Sequence, residues 1–231
     1  VNNAAKMRYM SNGQIQVPMI LRTVTGGGGG LAATHSQNFE GWYANVPGLK
    51  VVTPSNPYDA LGLMRSCIES KDPVIYVEHC LLYSVTGDVP EEYYNVPLGK
   101  SVVCREGQDV TIVTYSGMVR VCLDAADKLS EQGIEAEVID LRSLRPLDIE
   151  TSVKSVCKTG RAVVVEENWK TGGFGAEISS SLQENAFDYL ESPIIRISGE
   201  EVPMPYSRKL ESAAIPDASK VTITIKEMME T

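Results

Sequence analysis

The sequence predicts an α/β protein with two parallel-sheet domains. Apolar runs rich in Val and Ile alternate with helical patterns of ten or more residues, which is typical of βα units around a parallel sheet. The alternation stops once, between residues 80 and 99, where Gly87, Pro90 and Pro97 interrupt a polar, acidic stretch. The chain of 231 residues is long enough for two cores. The expected boundaries are a first domain at 1–83, a linker at 84–98 and a second domain at 99–231.

After the helix in which the chain begins, the first domain is expected to contain three strands and two further helices. The first strand leads into five successive glycines, Gly26 to Gly30, and the helix after them would begin at Ser36 as its N-cap. The second helix begins with Pro57, a residue favoured in the first turn. The expected strands are residues 17–24, 50–53 and 74–78, and the expected helices are residues 36–46 and 57–70.

The second domain repeats the same βα unit. Its apolar runs are again followed by helical patterns, without internal sequence repeats. The expected strands are residues 109–115, 136–141, 161–166 and 193–197, and the expected helices are residues 119–132, 148–158, 175–185 and 218–229.

Composition excludes several classes of function. Lys and Arg number 21 against 30 Asp and Glu, a net charge of -9, so nucleic acid and anionic membranes are poor partners. No run of ~18 apolar residues exists, and the first ten residues lack the apolar core of a signal peptide. Five widely spaced cysteines without a C-x-x-C pair argue against a disulfide framework or structural zinc and fit a reducing interior.

Two glycine motifs have competing interpretations. The run Gly26 to Gly30 follows a strand and could present bare amides to a phosphate, but the Walker spacing is absent and a mobile surface loop is favoured. The segment GGFGAE at residues 172–177 resembles a dinucleotide fingerprint. The acid expected about 20 residues later is replaced by Arg196, so a tight strand-to-helix turn is favoured.

The chain has two histidines, and histidine is the side chain best suited to move protons near neutral pH. His79 ends a buried-looking strand and is expected to be structural. His35 comes after the glycine run and before a helix, where open α/β sheets place their chemistry, at the carboxyl ends of strands. Reasoning from the residues therefore gives a candidate site around His35, without a reaction.

Several segments in order resemble the β-subunits of pyruvate dehydrogenase, a thiamine-diphosphate-dependent 2-oxo-acid dehydrogenase. They cover nearly all of the chain, which would then be a truncated transketolase-like pyrimidine-binding domain followed by a transketolase C-terminal domain. The chain begins with Val inside a predicted helix, so we expect a piece upstream to be missing. The matching segments are LAATHSQ (31–37), GWY (41–43), VPGLKVVTP (46–54), DPV (72–74), EH (78–79), LY (82–83), DLRSLRPLD (140–148) and VPMPY (202–206).

The resemblance implies an αββα heterotetramer in which thiamine diphosphate bridges two subunits. The α-subunit would hold the diphosphate and its Mg²⁺, and the first domain of β would hold the aminopyrimidine. The second domain would pair with a second β-subunit and dock on the lipoyl acyltransferase core. The implied activity is oxidative decarboxylation of pyruvate with acetyl transfer to lipoyl groups. The glutamate that contacts the aminopyrimidine would lie upstream, so the isolated chain is expected to be inactive.

The resemblance also implies individual site residues. His35 matches the family histidine that faces the cofactor's reactive carbon, where it can orient the substrate or donate a proton. Some members bind K⁺, mostly through main-chain carbonyls. At two of these positions the mitochondrial pattern has an acidic residue and an Asn, where this chain has Ser70 and Asp72. The positions that match the potassium ligands are Met19, Cys67, Ile68, Ser70 and Asp72.

Two alternatives stay open at this point. Branched-chain enzymes tend to carry Pro-Phe-Pro-His where this chain has residues 203–206, so a branched-chain 2-oxo-acid or acetoin dehydrogenase β-subunit is the alternative enzyme. The isolated fragment could also be a non-catalytic assembly and docking module. The expected location is the cytoplasm in a bacterium, and the mitochondrial matrix or a plastid in a eukaryote.

Overall fold

A computed structural model describes residues 1–230 and contains two β-sheets flanked by helices, which confirms the α/β class. The strand order is β1-β3-β2-β7 in the first sheet and β4-β6-β5-β8-β9 in the second. The strands are β1 Ile20–Thr25, β2 Lys50–Val52, β3 Val74–His79, β4 Val102–Arg105, β5 Val110–Thr114, β6 Ala136–Asp140, β7 Ser143–Arg145, β8 Ala162–Trp169 and β9 Ile195–Gly199.

The helices lie close to the predicted segments. Asn56 caps α3 by accepting the Asp59 N–H at 2.8 Å, and Gly160 ends α5 in the left-handed conformation at φ +70°. Among residues 1–230, no helix has the length and apolar character needed to cross a membrane. The helices are α1 Asn2–Met10, α2 Glu40–Ala44, α3 Pro57–Ile68, α4 Met118–Ser130, α5 Ile149–Thr159, α6 Gly175–Ala186, α7 Arg208–Ala214 and α8 Ala218–Met229.

Both sheets are parallel except for one antiparallel edge strand in each, which the sequence did not reveal. β7 pairs antiparallel with β2, and β4 pairs antiparallel with β6. β7 has three residues and β4 has four, and both pair with an irregular register. Strands this short show no recognisable alternation of apolar and polar residues in the sequence. Because β7 follows β6 in the chain, the second half of the protein completes the sheet of the first half.

The predicted N-cap at Ser36 is wrong. The chain is still in a loop there, because the Gln37 carbonyl accepts the Gly26 N–H at 3.1 Å, and α2 begins only at Glu40. Ser36 is buried, and its hydroxyl has no hydrogen-bond partner among the described residues. The helix α7, which the sequence did not reveal, has seven residues and follows a segment rich in proline.

One apolar core connects the two sheets. Val51 and Ile75 of the first sheet belong to the same cluster as Val113 and Val164 of the second, with α5 and α6 contributing Val156 and Ile178. Neighbouring residues along the strands point to the opposite faces, as alternation requires, and build two further clusters under α3 and under α4 and α8. The two halves therefore pack as one body.

Buried polar contacts join the halves beside β7. The Ser55 hydroxyl donates to Asp140 at 2.5 Å, and Arg142 pairs with Asp59 at 2.8 Å. Burial raises the pKa of Asp140 to about 7, against the hydrogen bonds from Ser55 and the Arg142 N–H, which favour its charged form. Ionisation of Asp140 therefore lowers the stability of the folded state.

The predicted linker is accessible to a protease in this structure. Residues 85–95 have no regular secondary structure and are mostly exposed, and near the end of the segment Tyr94 stacks on Tyr58 at 4.5 Å. We expect a glutamate-specific protease to cut first after Glu91 or Glu92, because little local structure must open there. Helical sites such as Glu184 serve as the internal control. Slow amide exchange throughout residues 84–96 would show that the boundary is misplaced.

Substituting Asp140 with Asn should flatten the pH dependence of stability. An acid whose pKa is raised in the folded state destabilises that state as pH rises from the unfolded pKa, about 4, through the folded one. The free energy of unfolding of the wild type, relative to Asp140→Asn, should fall by roughly 3 kcal/mol between pH 5 and 8. Urea unfolding at several pH values measures it, with Asp124→Asn on the surface of α4 as control. A constant difference across this range would contradict the assignment.

Candidate functional site

The candidate site lies on the loop between β1 and α2. This loop leaves the carboxyl end of β1 at Thr25, whose strand neighbour is His79 at the carboxyl end of β3. At its base, the Gly26 N–H donates to the Gln37 carbonyl at 3.1 Å. His35 is exposed near the end of the loop, and its ring makes no hydrogen bond or ion pair within residues 1–230. The side chain is thus free to meet a group from outside the described chain.

The glycine run is occupied by carboxylates from the second half of the chain. The Gly27 N–H donates to Glu167 at 2.6 Å, and the N–H groups of Gly28 and Gly30 donate to Glu211 at 2.9 to 3.1 Å. Gly26 and Gly27 are buried. The run is therefore neither an open phosphate cradle nor a mobile surface loop, the two interpretations weighed from the sequence.

His79 is a satisfied buried histidine, as expected. Its Nδ1 accepts the Leu81 N–H at 3.2 Å, so Nε2 carries the proton and donates to Glu167 at 2.6 Å. Burial alone would raise the pKa of Glu167, but the hydrogen bonds from His79 and Gly27 hold that pKa below its usual value. A Cβ at Gly26 would lie 2.2 Å from the ring, so only glycine fits there.

The second glycine motif encloses Glu166. Its fully buried carboxylate accepts from the Gly175 N–H at 2.9 Å and from Arg196 at 3.1 Å. A Cβ at Gly173 or Gly175 would lie 2.5 Å from the same carboxylate. The tight-turn interpretation therefore holds, and Arg196, which replaces the acid of a dinucleotide fingerprint, is the ion-pair partner of Glu166.

Glu40 is a buried acid that the sequence analysis missed. The Thr25 hydroxyl lies 3.0 Å from its carboxyl group. Burial, with smaller contributions from the negative charges of Glu167 and Glu166, raises the pKa of Glu40 to about 7. Such a carboxyl can hold or release a proton near neutral pH. No sequence motif marks Glu40. The sequence feature that could have pointed to a buried acidic site is the pair Glu166-Glu167, two adjacent acids late in a buried strand.

The predicted potassium positions lie together, at the amino-terminal end of β3. The Met19 carbonyl accepts the Val74 N–H at 2.8 Å, and the Cys67 carbonyl accepts the Ser70 N–H at 3.1 Å. Ile68 is exposed. These positions are remote from His35, since Met19 precedes β1 and His35 follows its other end.

Protein cations already occupy this region. Lys50 donates to the Ser70 hydroxyl at 2.9 Å and lies 3.4 Å from Asp72, which also pairs with Arg8 at 2.8 Å. Burial would raise the pKa of Asp72, but Arg8 and Lys50 together lower it. Residues 1–230 contain no group of three or more His, Cys, Asp or Glu that could hold a metal. The two protein cations thus lie beside Ser70 and Asp72, and the potassium site, with its mainly main-chain ligands, stays a prediction.

Known proteins resemble the chain over both halves. Residues 1–85 match the family model of the transketolase pyrimidine-binding domain, and residues 99–221 match that of the transketolase C-terminal domain. A solved structure described as a split-gene transketolase, an inactive beta4 tetramer, superposes with a TM-score of 0.73, 24% identity and coverage of 99% of this chain and 73% of that one. This likeness shows the fold.

Curated relatives are much closer in sequence. Pyruvate dehydrogenase E1 component subunit beta-2, mitochondrial, of Oryza sativa is 47% identical over 98% of this chain and 61% of its own length. Pyruvate dehydrogenase E1 component subunit beta of Rickettsia felis is 46% identical over 99% of this chain and 70% of its own length. The chain thus spans between 61% and 70% of these two relatives. It belongs to the transketolase-like family of pyruvate dehydrogenase E1 β-subunits.

Proposed function

We propose that this chain is part of a pyruvate dehydrogenase β-subunit that takes part in oxidative decarboxylation of pyruvate and acetyl transfer to lipoyl groups. The observation that carries the proposal is His35, exposed and unpaired on a loop that buried carboxylates hold at the carboxyl end of β1. The 47% and 46% identity to relatives with this name supports the substrate.

Thiamine diphosphate is the proposed cofactor, and it supplies the electron sink for losing CO₂ from a 2-oxo acid. The N–H groups of Gly27 and Gly28 already donate to Glu167 and Glu211, which supports a diphosphate site outside the glycine run. We place the diphosphate and Mg²⁺ on a partner α-subunit.

The proposed task of His35 is to orient the substrate and move a proton as the acetyl group passes to the lipoyl sulfur. A histidine suits this because its two nitrogens can accept and donate near neutral pH. The ring has no protein partner within residues 1–230 and is therefore available on both nitrogens.

The proposed partners are the α-subunit, a second β-subunit and the lipoyl acyltransferase core. Large apolar side chains at the surface support partner contacts, among them Tyr9, Trp42 and Tyr206. One relative is named as mitochondrial and another is bacterial. We propose the mitochondrial matrix in a eukaryote, or a plastid, and the cytoplasm in a bacterium.

The substrate and the role of His35 can be tested in the same experiment. The full-length β-subunit that contains this chain is assembled with its α-subunit and acyltransferase, and turnover is measured with pyruvate and with a branched-chain 2-oxo acid. We expect a preference for pyruvate. His35→Asn should lower turnover by ~10²–10⁴ at an unchanged melting temperature, because a placed acid or base is lost while no intramolecular contact is.

The matched control is Thr34→Ala, which alters the neighbouring exposed residue of the same loop. A preference for the branched-chain acid would assign the alternative substrate. Normal turnover in a folded His35→Asn tetramer would refute the catalytic role. No turnover with any 2-oxo acid would favour the assembly and docking module.

We further propose that the protein needs no potassium ion, because Lys50 and Arg8 supply the positive charge at Ser70 and Asp72. Exchanging NaCl for KCl at constant ionic strength should leave the melting temperature unchanged. Lys50→Met should lower the melting temperature, and KCl should restore part of the loss. Lys154→Met, which removes an exposed pair with Glu150, is the control. Specific stabilisation of the wild type by KCl would show that the ion binds.

A further inference from the structure

Glu211 is a buried acid with an unusual set of partners. It lies in the first turn of α7 and is 2% exposed, and within residues 1–230 its carboxylate accepts only from backbone amides of the distant glycine run. The Gly28 N–H lies 2.9 Å from one oxygen, and the Gly30 N–H lies 3.1 and 3.0 Å from the two oxygens. Hydrogen bonds to an ionised acceptor are stronger than neutral ones, so these contacts fix the loop.

The glycine conformations make this arrangement possible. Gly28 has φ +90° and Gly30 has φ +70°, backbone conformations that residues with a side chain rarely adopt. These conformations direct the two N–H groups towards one carboxylate. Gly28 is also tightly packed, since a Cβ there would lie 2.7 Å from Leu81. The loop is therefore clamped between its own half of the chain and α7.

His35 is supported through its backbone, whose N–H donates to the Ala32 carbonyl at 3.2 Å, and not through its ring. The Gly26 N–H and the Gln37 carbonyl close the base of the loop, and the Gln37 side chain donates to the Ala33 carbonyl at 2.6 Å. The imidazole makes no hydrogen bond within residues 1–230. The position of the His35 ring is consequently set through the backbone of the loop. Glu211 holds Gly28 and Gly30, in the part of the loop that precedes His35.

We infer that Glu211 is a positioning residue for His35, acting from α7 through the N–H groups of Gly28 and Gly30. The inference rests on the proposed function, since it assigns a residue to the same reaction. A carboxylate suits the task because it accepts both amides without donating a proton to either. A glutamine of the same shape keeps one acceptor oxygen and turns an N–H₂ group towards an N–H group.

The test is Glu211→Gln in the assembled complex, alone and combined with His35→Asn. We expect amide exchange at Gly28 and Gly30 to rise roughly tenfold or more, and turnover with pyruvate to fall by about the same factor, as one charge-assisted bond is lost. Because Glu211 acts through His35, the double variant should be no slower than His35→Asn. Asp109→Asn is the control, since Asp109 accepts the Glu135 N–H at 2.6 Å at the amino end of β5.

The outcomes separate the two proposals. Unchanged exchange at Gly28 and Gly30, or losses of turnover that multiply in the double variant, would overturn the role of Glu211 and leave the proposed function standing. A lower melting temperature with normal turnover per folded site would make Glu211 structural and also overturn it. Normal turnover of His35→Asn would remove the catalytic role of His35, and with it the role of Glu211.

Discussion

The carboxylate of Glu167 is the interaction on which the candidate site depends. Its two oxygens accept from groups of the first half of the chain, the Gly27 N–H and the His79 ring, both at 2.6 Å. A buried carboxylate without partners would be costly, so these contacts must be made for the two sheets to meet in this way. The same contacts fix the proton of His79 on Nε2 and the start of the glycine loop.

The neighbourhood of Glu167 holds more acid than base. Glu166 pairs with Arg196 and accepts the Gly175 N–H, whereas the charged form of Glu40 is favoured by hydrogen bonds from the Thr25 hydroxyl and from its own backbone. Burial raises the pKa of Glu40 to about 7 and also raises the pKa of Glu166, whereas the hydrogen bonds from His79 and Gly27 lower the pKa of Glu167. The uneven distribution of partners thus gives three nearby glutamates different protonation behaviour, which composition alone could not reveal.

The order of the elements could be predicted because it depends on local apolar periods. β7 could not, since it has three residues and pairs Val52 with Ser143, far apart in the chain. The glycine run was ambiguous for the same reason: its carboxylate partners lie 140 and 183 residues further along. His35 was found because its position after β1 is a local feature and its segment is distinctive.

The strand β7 also affects how the protein is made. The β2 edge of the first sheet stays open until residue 145 has left the ribosome, because β7 is the strand that covers it. Nascent chains usually fold one domain at a time, and an open strand edge invites pairing with other chains. Here the sheet of the first half is complete only when β7, in the second half, has been synthesised. A gene break or recombination between the halves would separate a sheet from its own edge strand.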